Sequence, residues 1–232
     1  MLLRQYFDHE SFTYTYLIAD KQQKVAVLID PVLEKTSWYM ELLTEMSLSL
    51  VAVLDTHTHA DHISANGALR KLTNCKTYLG FEAASDCVDH GLLDGETILI
   101  GALSVMAIKT PGHTNDSYSF HLHHEQQDYL FTGDTLLIRG SGRTDFQNGD
   151  AIAQYHSIKQ KLLSYPDNTI IYPGHDYQGR MLSTVFEERH YNPRLQVNNA
   201  EQYADIMTKL NLPSPKMMDV AVPANQACGQ VK

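Results

Sequence analysis

Between Asp55 and His62 the chain reads Asp-Thr-His-Thr-His-Ala-Asp-His, three histidines and two aspartates within eight residues. Neutral imidazole and carboxylate are common protein ligands for divalent transition metals. In an extended loop His57 and His59 point to the same side, because side chains alternate with period two. They can then share one ion, and Asp61 and His62, at the entry to the next helix, can aim at the same spot or at one beside it. Three further fragments share a form: Thr110-Pro111-Gly112-His113, Phe131-Thr132-Gly133-Asp134 and Tyr172-Pro173-Gly174-His175-Asp176. Each is a strand-like run, a glycine turn that permits close backbone approach, and a potential ligand. One such fragment is an ordinary turn; three of them beside the first motif read as a metal centre.

These residues need rigid elements behind them. Leu50 to Leu54 is a short apolar run, as expected of a strand buried on both faces, and the loop after such a strand is exposed on a fixed base. Ahead of it, Phe12 to Ala19 and Val25 to Ile29 read as a strand pair, and Trp38, Leu42, Leu43 and Met46 recur at helical spacing across Lys35 to Leu48. Behind it come a short helix at Asn66 to Leu72 and strands at Lys76 to Leu79, Ile98 to Ile100, Ser104 to Ile108, Tyr118 to Leu122, Tyr129 to Thr132 and Thr169 to Tyr172. Helices are expected over Asp150 to Leu163, Ser183 to His190 and Glu201 to Leu210. The tail, with Pro213, Pro215 and Pro223, reads as extended and laid over the body. Strands and helix followed by strands and helix predict an α/β sandwich with helices outside two sheets.

Composition limits the function classes. The 232 residues are 43% hydrophobic and 19% charged, which suits one globular domain spanning residues 1–232. Eighteen Lys and Arg against 27 Asp and Glu give a net charge of −9. That balance argues against nucleic acid as a partner, because phosphate-backbone binding needs a basic face. No apolar run reaches the roughly 18 residues of a membrane span, and the first twenty residues have no apolar core of a secretory signal. Cys75, Cys87 and Cys228 are too few and too scattered for a disulfide framework, so a reducing, cytoplasmic setting is the expectation, with Cys228 an inert thiol.

The H-x-H-x-D-H run, the later His113, Asp134 after its Thr-Gly turn and the last His175 resemble the metallo-β-lactamase superfamily. The resemblance implies a four-layer αββα sandwich. It also implies a full binuclear set: His57, His59, His113 and Asp134 on one ion, with Asp61, His62, Asp134 and His175 on the other. Fold membership does not by itself fix the reaction.

A second layer of resemblance runs from Phe7 to Gly229. The stretch from Phe131 through Arg139-Gly140-Ser141-Gly142-Arg143-Thr144-Asp145-Phe146, then Tyr172 to Tyr177, Asn192-Pro193-Arg194-Leu195, Val222-Pro223-Ala224-Asn225 and Cys228-Gly229, is similar to the persulfide dioxygenases. That family oxidises glutathione persulfide with O2 to sulfite and glutathione and uses one Fe(II) per chain. By matching position the iron ligands are His57, His113 and Asp134, a facial triad that leaves three positions open on an octahedral ion. His59, Asp61, His62, His175 and Asp176 then orient ligands or serve a second metal. Glutathione carries two carboxylates, for which guanidinium forks are suited. Arg194 and Tyr177 are the leading candidates to grip it, ahead of Arg139 and Arg143, which can equally brace their own loop. A homodimer is compatible with the resemblance. The alternative is a glyoxalase II-type hydroxyacylglutathione thioesterase, in which a binuclear zinc-type centre generates hydroxide with no redox step.

Overall fold

A computed structural model describes residues 1–210, 212–213 and 217–229. Two six-stranded sheets face one another. The first runs in strand order β1 (Leu2–Phe7), β2 (Tyr14–Asp20), β3 (Val25–Ile29), β4 (Ser49–Leu54), β5 (Lys76–Gly80) and β6 (His90–Leu92). The second holds β7 (Thr97–Ile100), β8 (Leu103–Lys109), β9 (Tyr118–His124), β10 (Gln127–Gly133), β11 (Ile170–Pro173) and β12 (Ser183–Thr184), with each strand beside its sequence neighbour. Within the first sheet β3, β4 and β5 are parallel, with α1 (Thr36–Glu45) and α2 (Asn66–Thr73) as their crossovers. In the second, β10 and β11 are parallel, and the crossover is α3 (Ala151–His156), continued by a π turn at Ser157–Lys161 and a 3-10 turn at Leu162–Ser164.

The layers follow from the hydrophobic pattern. Ile18, Val27, Ile29, Ala52 and Leu54 point inward and meet Val105, Ala107, Phe120, Leu122 and Phe131 from the other sheet. The alternate residues Leu17, Leu28, Leu50 and Val53 point outward and are covered by Tyr39 and Leu43 of α1 and Leu69 of α2. Leu130 and Ile171 are covered by Ile158, Leu162, Val185, Tyr203 and Met207 from α3 and its continuation, α4 (Val185–Tyr191) and α5 (Ala200–Thr208). The arrangement is the expected αββα sandwich. Central strands buried on both faces are why the sequence shows apolar runs there in place of alternation.

Two expectations need correction. The tail is not extended: Met218–Gln226 forms a helix, α6, with Pro223 inside it. Ala221 and Ala224 pack on Ile63 and Leu33, and that contact outweighs the hydrogen bond the proline cannot donate. Pro215 lies outside the described residues. Nor are the cysteines all free, since Cys87 and Cys228, 141 residues apart, form a disulfide and only Cys75 remains a buried thiol. A pairing over that separation leaves no local mark in the sequence. Three strands, β1, β6 and β12, also escaped the sequence reading, the residues of β12 being expected to open a helix.

Candidate metal centre

All the candidate ligands sit at one edge of the sandwich, on loops that follow strand ends. His57 to His62 follow β4, His113 follows β8, Asp134 follows β10 and His175 follows β11. The two sheets are stitched together at this edge: Tyr118 N–H donates to the Thr56 carbonyl at 2.7 Å, and Tyr14 N–H to that of Gly174 at 2.8 Å. Thr58 adds its N–H and hydroxyl on Asp116 Oδ2 at 2.9 and 2.6 Å. Gly133 turns with φ of 48°, and a Cβ there would lie 2.6 Å from Thr56 Oγ1, so the approach of β10 to the histidine loop requires glycine.

His57, His113 and Asp134 each offer one ligand atom, all within 4.8 Å of one another. Hydrogen bonds fix which atoms those are. The Thr56 hydroxyl donates its single proton to Asp30 Oδ2, so it accepts from His57 Nδ1 at 2.9 Å. His113 Nδ1 faces the Arg143 carbonyl at 2.7 Å, and a carbonyl only accepts. Both rings therefore carry a proton on Nδ1 and turn Nε2 to the centre. Burial, then the neighbouring His59 and His113, hold His57 well below the usual imidazole range. Asp134 Oδ1 takes Nδ1–H of His175 at 2.6 Å, which leaves Oδ2 toward His113 Nε2 at 3.6 Å. Burial pushes the Asp134 carboxyl up, but His175, His113 and His57 together hold it well below the usual carboxylate range. The result is two imidazole nitrogens and one carboxylate oxygen, each braced from behind as metal ligands are.

Beside this triad lie His59, Asp61 and His62, again within 4.8 Å of one another. His59 Nε2 binds Asp30 Oδ1 at 3.1 Å, and His62 Nδ1 binds Asp61 Oδ2 at 2.9 Å. Their other nitrogens, His59 Nδ1 and His62 Nε2, are buried with no hydrogen-bond partner among the described residues. Buried polar atoms are nearly always satisfied, so two orphans beside a triad of aligned donors fit a bound cation. Despite burial, Asp30, Asp61 and Asp55 push the metal-free His59 ring up to about 9, which shows how strongly this pocket favours positive charge.

His175 is different. Its Nδ1 binds Asp134 and its Nε2 binds Asp61 Oδ2 at 3.0 Å, so both nitrogens donate and neither offers a lone pair. Burial opposes the charge, but the two carboxylates raise His175 well above the usual range. It is a bridging imidazolium between two acids.

The remaining predicted residues divide. Tyr177 stacks on His175, with ring centroids 6.1 Å apart and planes 8° apart, and packs beside Phe12 on the exposed side. Arg194 is largely buried, with Nη1 on the carbonyl and hydroxyl of Ser141, next to the loop where Gly142 N–H binds the Asp134 carbonyl at 2.6 Å. Its Nε and Nη2 have no partner among the described residues. Arg139 closes on Glu187 and Glu188, and Arg143 on Asp145 at 2.6 and 2.7 Å, so both forks are already taken by carboxylates of this chain. Asp176 accepts from Gln178 N–H, Arg180 N–H and the Arg180 guanidinium, and is not drawn into the ligand cluster.

Three groups that organise the centre were not singled out from the sequence. Asp30 holds Thr56 and His59, Asp55 holds Ser64 and Asn66, and Asn225 of α6 clamps the histidine loop. The Asn225 amide donates to the His59 and His62 carbonyls, each at 2.9 Å, and its oxygen accepts from Ser64 N–H at 2.8 Å. An Asp-Pro step at a strand end was the one available sign, for Asp30.

Residues 10–175 match the model of the metallo-β-lactamase superfamily. A persulfide dioxygenase ETHE1 of Bos taurus, named as mitochondrial, is 45% identical over 99% of this chain and 89% of its own length. The chain belongs to the persulfide dioxygenase family. ETHE1 from Myxococcus xanthus superposes on this family member with a TM-score of 0.95 at 47% identity, over 99% of this chain and 100% of that one. A probable hydroxyacylglutathione hydrolase of Schizosaccharomyces pombe is more distant from this dioxygenase-family chain, at 37% identity over 71% of it and 64% of the yeast protein. No helix among the described residues is long and apolar enough to cross a membrane.

Proposed function

We propose that the chain oxidises glutathione persulfide with O2 to sulfite and glutathione at a single Fe(II) held by His57, His113 and Asp134. The names of its full-length relatives support the reaction. The observation that carries the one-ion reading is His175, whose two nitrogens both face carboxylates, Nδ1 on Asp134 and Nε2 on Asp61. Iron supplies one-electron chemistry toward O2, which redox-inert zinc does not.

The chain's own residues supply position. His175 and its two acids hold Asp134 at a fixed angle, and the Arg143 carbonyl and Thr56 hydroxyl do the same for the two histidines. The Tyr177 ring forms an exposed wall beside the centre, and the two uncommitted nitrogens of Arg194 are the fork for a substrate carboxylate. Arg139 and Arg143 are held by Glu187, Glu188 and Asp145 and brace their own loop. A homodimer is proposed on family resemblance alone.

A second reading keeps one observation on its side. His59, Asp61 and His62 form their own ligand group with two orphaned nitrogens, which a binuclear thioester hydrolase would use. Metal analysis of protein purified without oxygen, paired with O2 uptake on adding glutathione persulfide, separates the two. About one iron per chain with O2 consumption is expected. Two zinc ions per chain, no O2 uptake and hydrolysis of an acylglutathione would overturn the dioxygenase reading.

A further inference from the structure

Asn225 reaches the histidine loop only while α6 stays in place, and the non-covalent hold on α6 is thin. Its buried side chains are Ala221, Ala224 and Asn225, two of which offer a single methyl each. Nine residues with Pro223 among them are too few for a helix that is stable by itself. The last turn is where α6 is fastened. Cys228 N–H donates to the Asn225 carbonyl at 3.2 Å and Gly229 N–H to that of Ala224 at 2.8 Å, so the cysteine continues the helix end. The Cys228 carbonyl sits on Gly67 of α2, where any Cβ would collide with it, and the Ser85 hydroxyl donates to the Gln226 carbonyl at 3.1 Å. The disulfide then ties Cys228 to Cys87, in the connection between β5 and β6.

We propose that the Cys87–Cys228 disulfide is a thiol-exchange site whose opening releases the Asn225 clamp and loosens the histidine loop. The inference holds for either reaction considered above, since both place a metal on that loop. The two sulfurs are unequally sheltered: Cys87 is half-buried, while Cys228 is 4% exposed. A disulfide that small thiols can reach is of the exchangeable kind. The thiolate of a low-molecular-weight thiol such as glutathione attacks Cys87 Sγ; the sulfur–sulfur bond breaks and its electron pair leaves on Cys228, which takes a proton from water. A second thiolate attacks the outer sulfur of the mixed disulfide. Two small thiols are thereby oxidised to one disulfide, and Cys87 and Cys228 are reduced to two thiols. With the bridge open, two alanine methyls and the Ser85 bond are left to hold α6 near its seat, and the Asn225 amide parts from the His59 and His62 carbonyls. The cysteines touch no candidate ligand; they act on the loop through Asn225, three residues before the bridge.

The test reads the clamp itself. Ser64 N–H, which donates to Asn225 Oδ1 at 2.8 Å, is followed by hydrogen exchange in full-length metal-free protein, oxidised and then reduced with a phosphine, with the amides of β4 and β10 as reference. Reduction should speed Ser64 exchange by about 10-fold or more and leave the strand amides unchanged. Cys87→Ser should show the released behaviour without reductant, and its Zn(II) affinity by chelator competition should lie about 10–100-fold below that of oxidised wild type. Adding Cys87→Ser to Asn225→Ala should lower that affinity no further, because the clamp is already gone. Brief treatment of wild type with glutathione should leave a glutathione adduct on Cys87, located by peptide mass spectrometry. Unchanged Ser64 exchange on reduction would overturn the proposal, and so would equal acceleration of the strand amides, which would make the bridge a general staple. A further fall in zinc affinity in the double variant would show that the disulfide acts by a route other than Asn225. No exchange with glutathione, or an adduct on Cys228 alone, would refute the assignment of the exchange site.

Discussion

Replacing Asn225 by alanine removes the clamp that α6 places on the histidine loop, and its cost can be worked from the geometry. Three hydrogen bonds vanish: two from the amide to the His59 and His62 carbonyls and one from Ser64 N–H to the amide oxygen. Asn225 is 4% exposed, so water does not readily replace them. At a net value of about 1 kcal/mol per bond the loss is about 3 kcal/mol, and an orphaned Ser64 N–H adds to it. For a chain of this size that corresponds to a fall in melting temperature of roughly 6–12 °C. Because the two carbonyls belong to residues of the ligand loop, iron affinity should also drop, by about 10–100-fold, as for other residues that orient ligands from behind. Asn225→Asp should be worse than alanine, since it turns two donors into lone pairs aimed at carbonyl oxygens. Thermal unfolding of metal-free and loaded protein, with a chelator competition for affinity, reads both effects. A melting point within about 1 °C of wild type and unchanged affinity would show that the clamp is ornamental and that the loop holds its own shape.

Asp134→Ala should abolish metal binding while the sandwich still folds, since the αββα core does not depend on that side chain; stoichiometric iron in the purified variant would contradict the triad. Gly142→Ala places a Cβ 2.3 Å from the Asp134 carbonyl and 2.8 Å from His113 Nδ1, so the loop must shift. A destabilisation of about 1–3 kcal/mol in urea unfolding, together with weaker metal binding, is expected; a variant with wild-type stability and affinity would mean the approach is not tight. In metal-free protein His59 is raised from 6.5 to about 9, so its charge stabilises the fold below about 6.5 and is lost as pH rises through about 9. That gap corresponds to at most about 3 kcal/mol, read as a falling urea midpoint between pH 6.5 and 9.5 in chelator. Flat or rising stability over that interval would exclude His59 as the proton carrier.

The ligand set was legible because its signal is local. H-x-H-x-D-H and the three strand-turn-ligand fragments each declare themselves within a few residues, and the apolar run Leu50–Leu54 supplies the rigid base. What escaped was long-range. Asn225 reaches His62 across 163 positions, Thr13 reaches His175 across 162, and Cys87 meets Cys228 across 141. A Thr before a strand or an Asn in a proline-bearing tail has no distinguishing pattern until packing brings it to the site. The tail helix was missed for a related reason: Pro223 argues against helix locally, and only the contact of Ala221 and Ala224 with Ile63 outweighs it. The arginines show the converse, since residue type marks Arg139 and Arg143 as anion binders while the fold has already given them Glu187, Glu188 and Asp145.

The disulfide divides the chain mechanically as well as chemically. Cys87 precedes β7 and Cys228 follows α6, so the covalent ring between them encloses the entire second sheet, with His113, Asp134 and His175. A force applied at the two chain ends runs through the sulfur–sulfur bond and bypasses that ring. Stretching the oxidised protein would peel away only β1 to β5 of the first sheet and the histidine loop, leaving about 140 residues, roughly 50 nm of contour, unreleased. The two halves of the ligand set therefore lie on opposite sides of a covalent boundary, one tethered inside a closed loop and the other free to be drawn out.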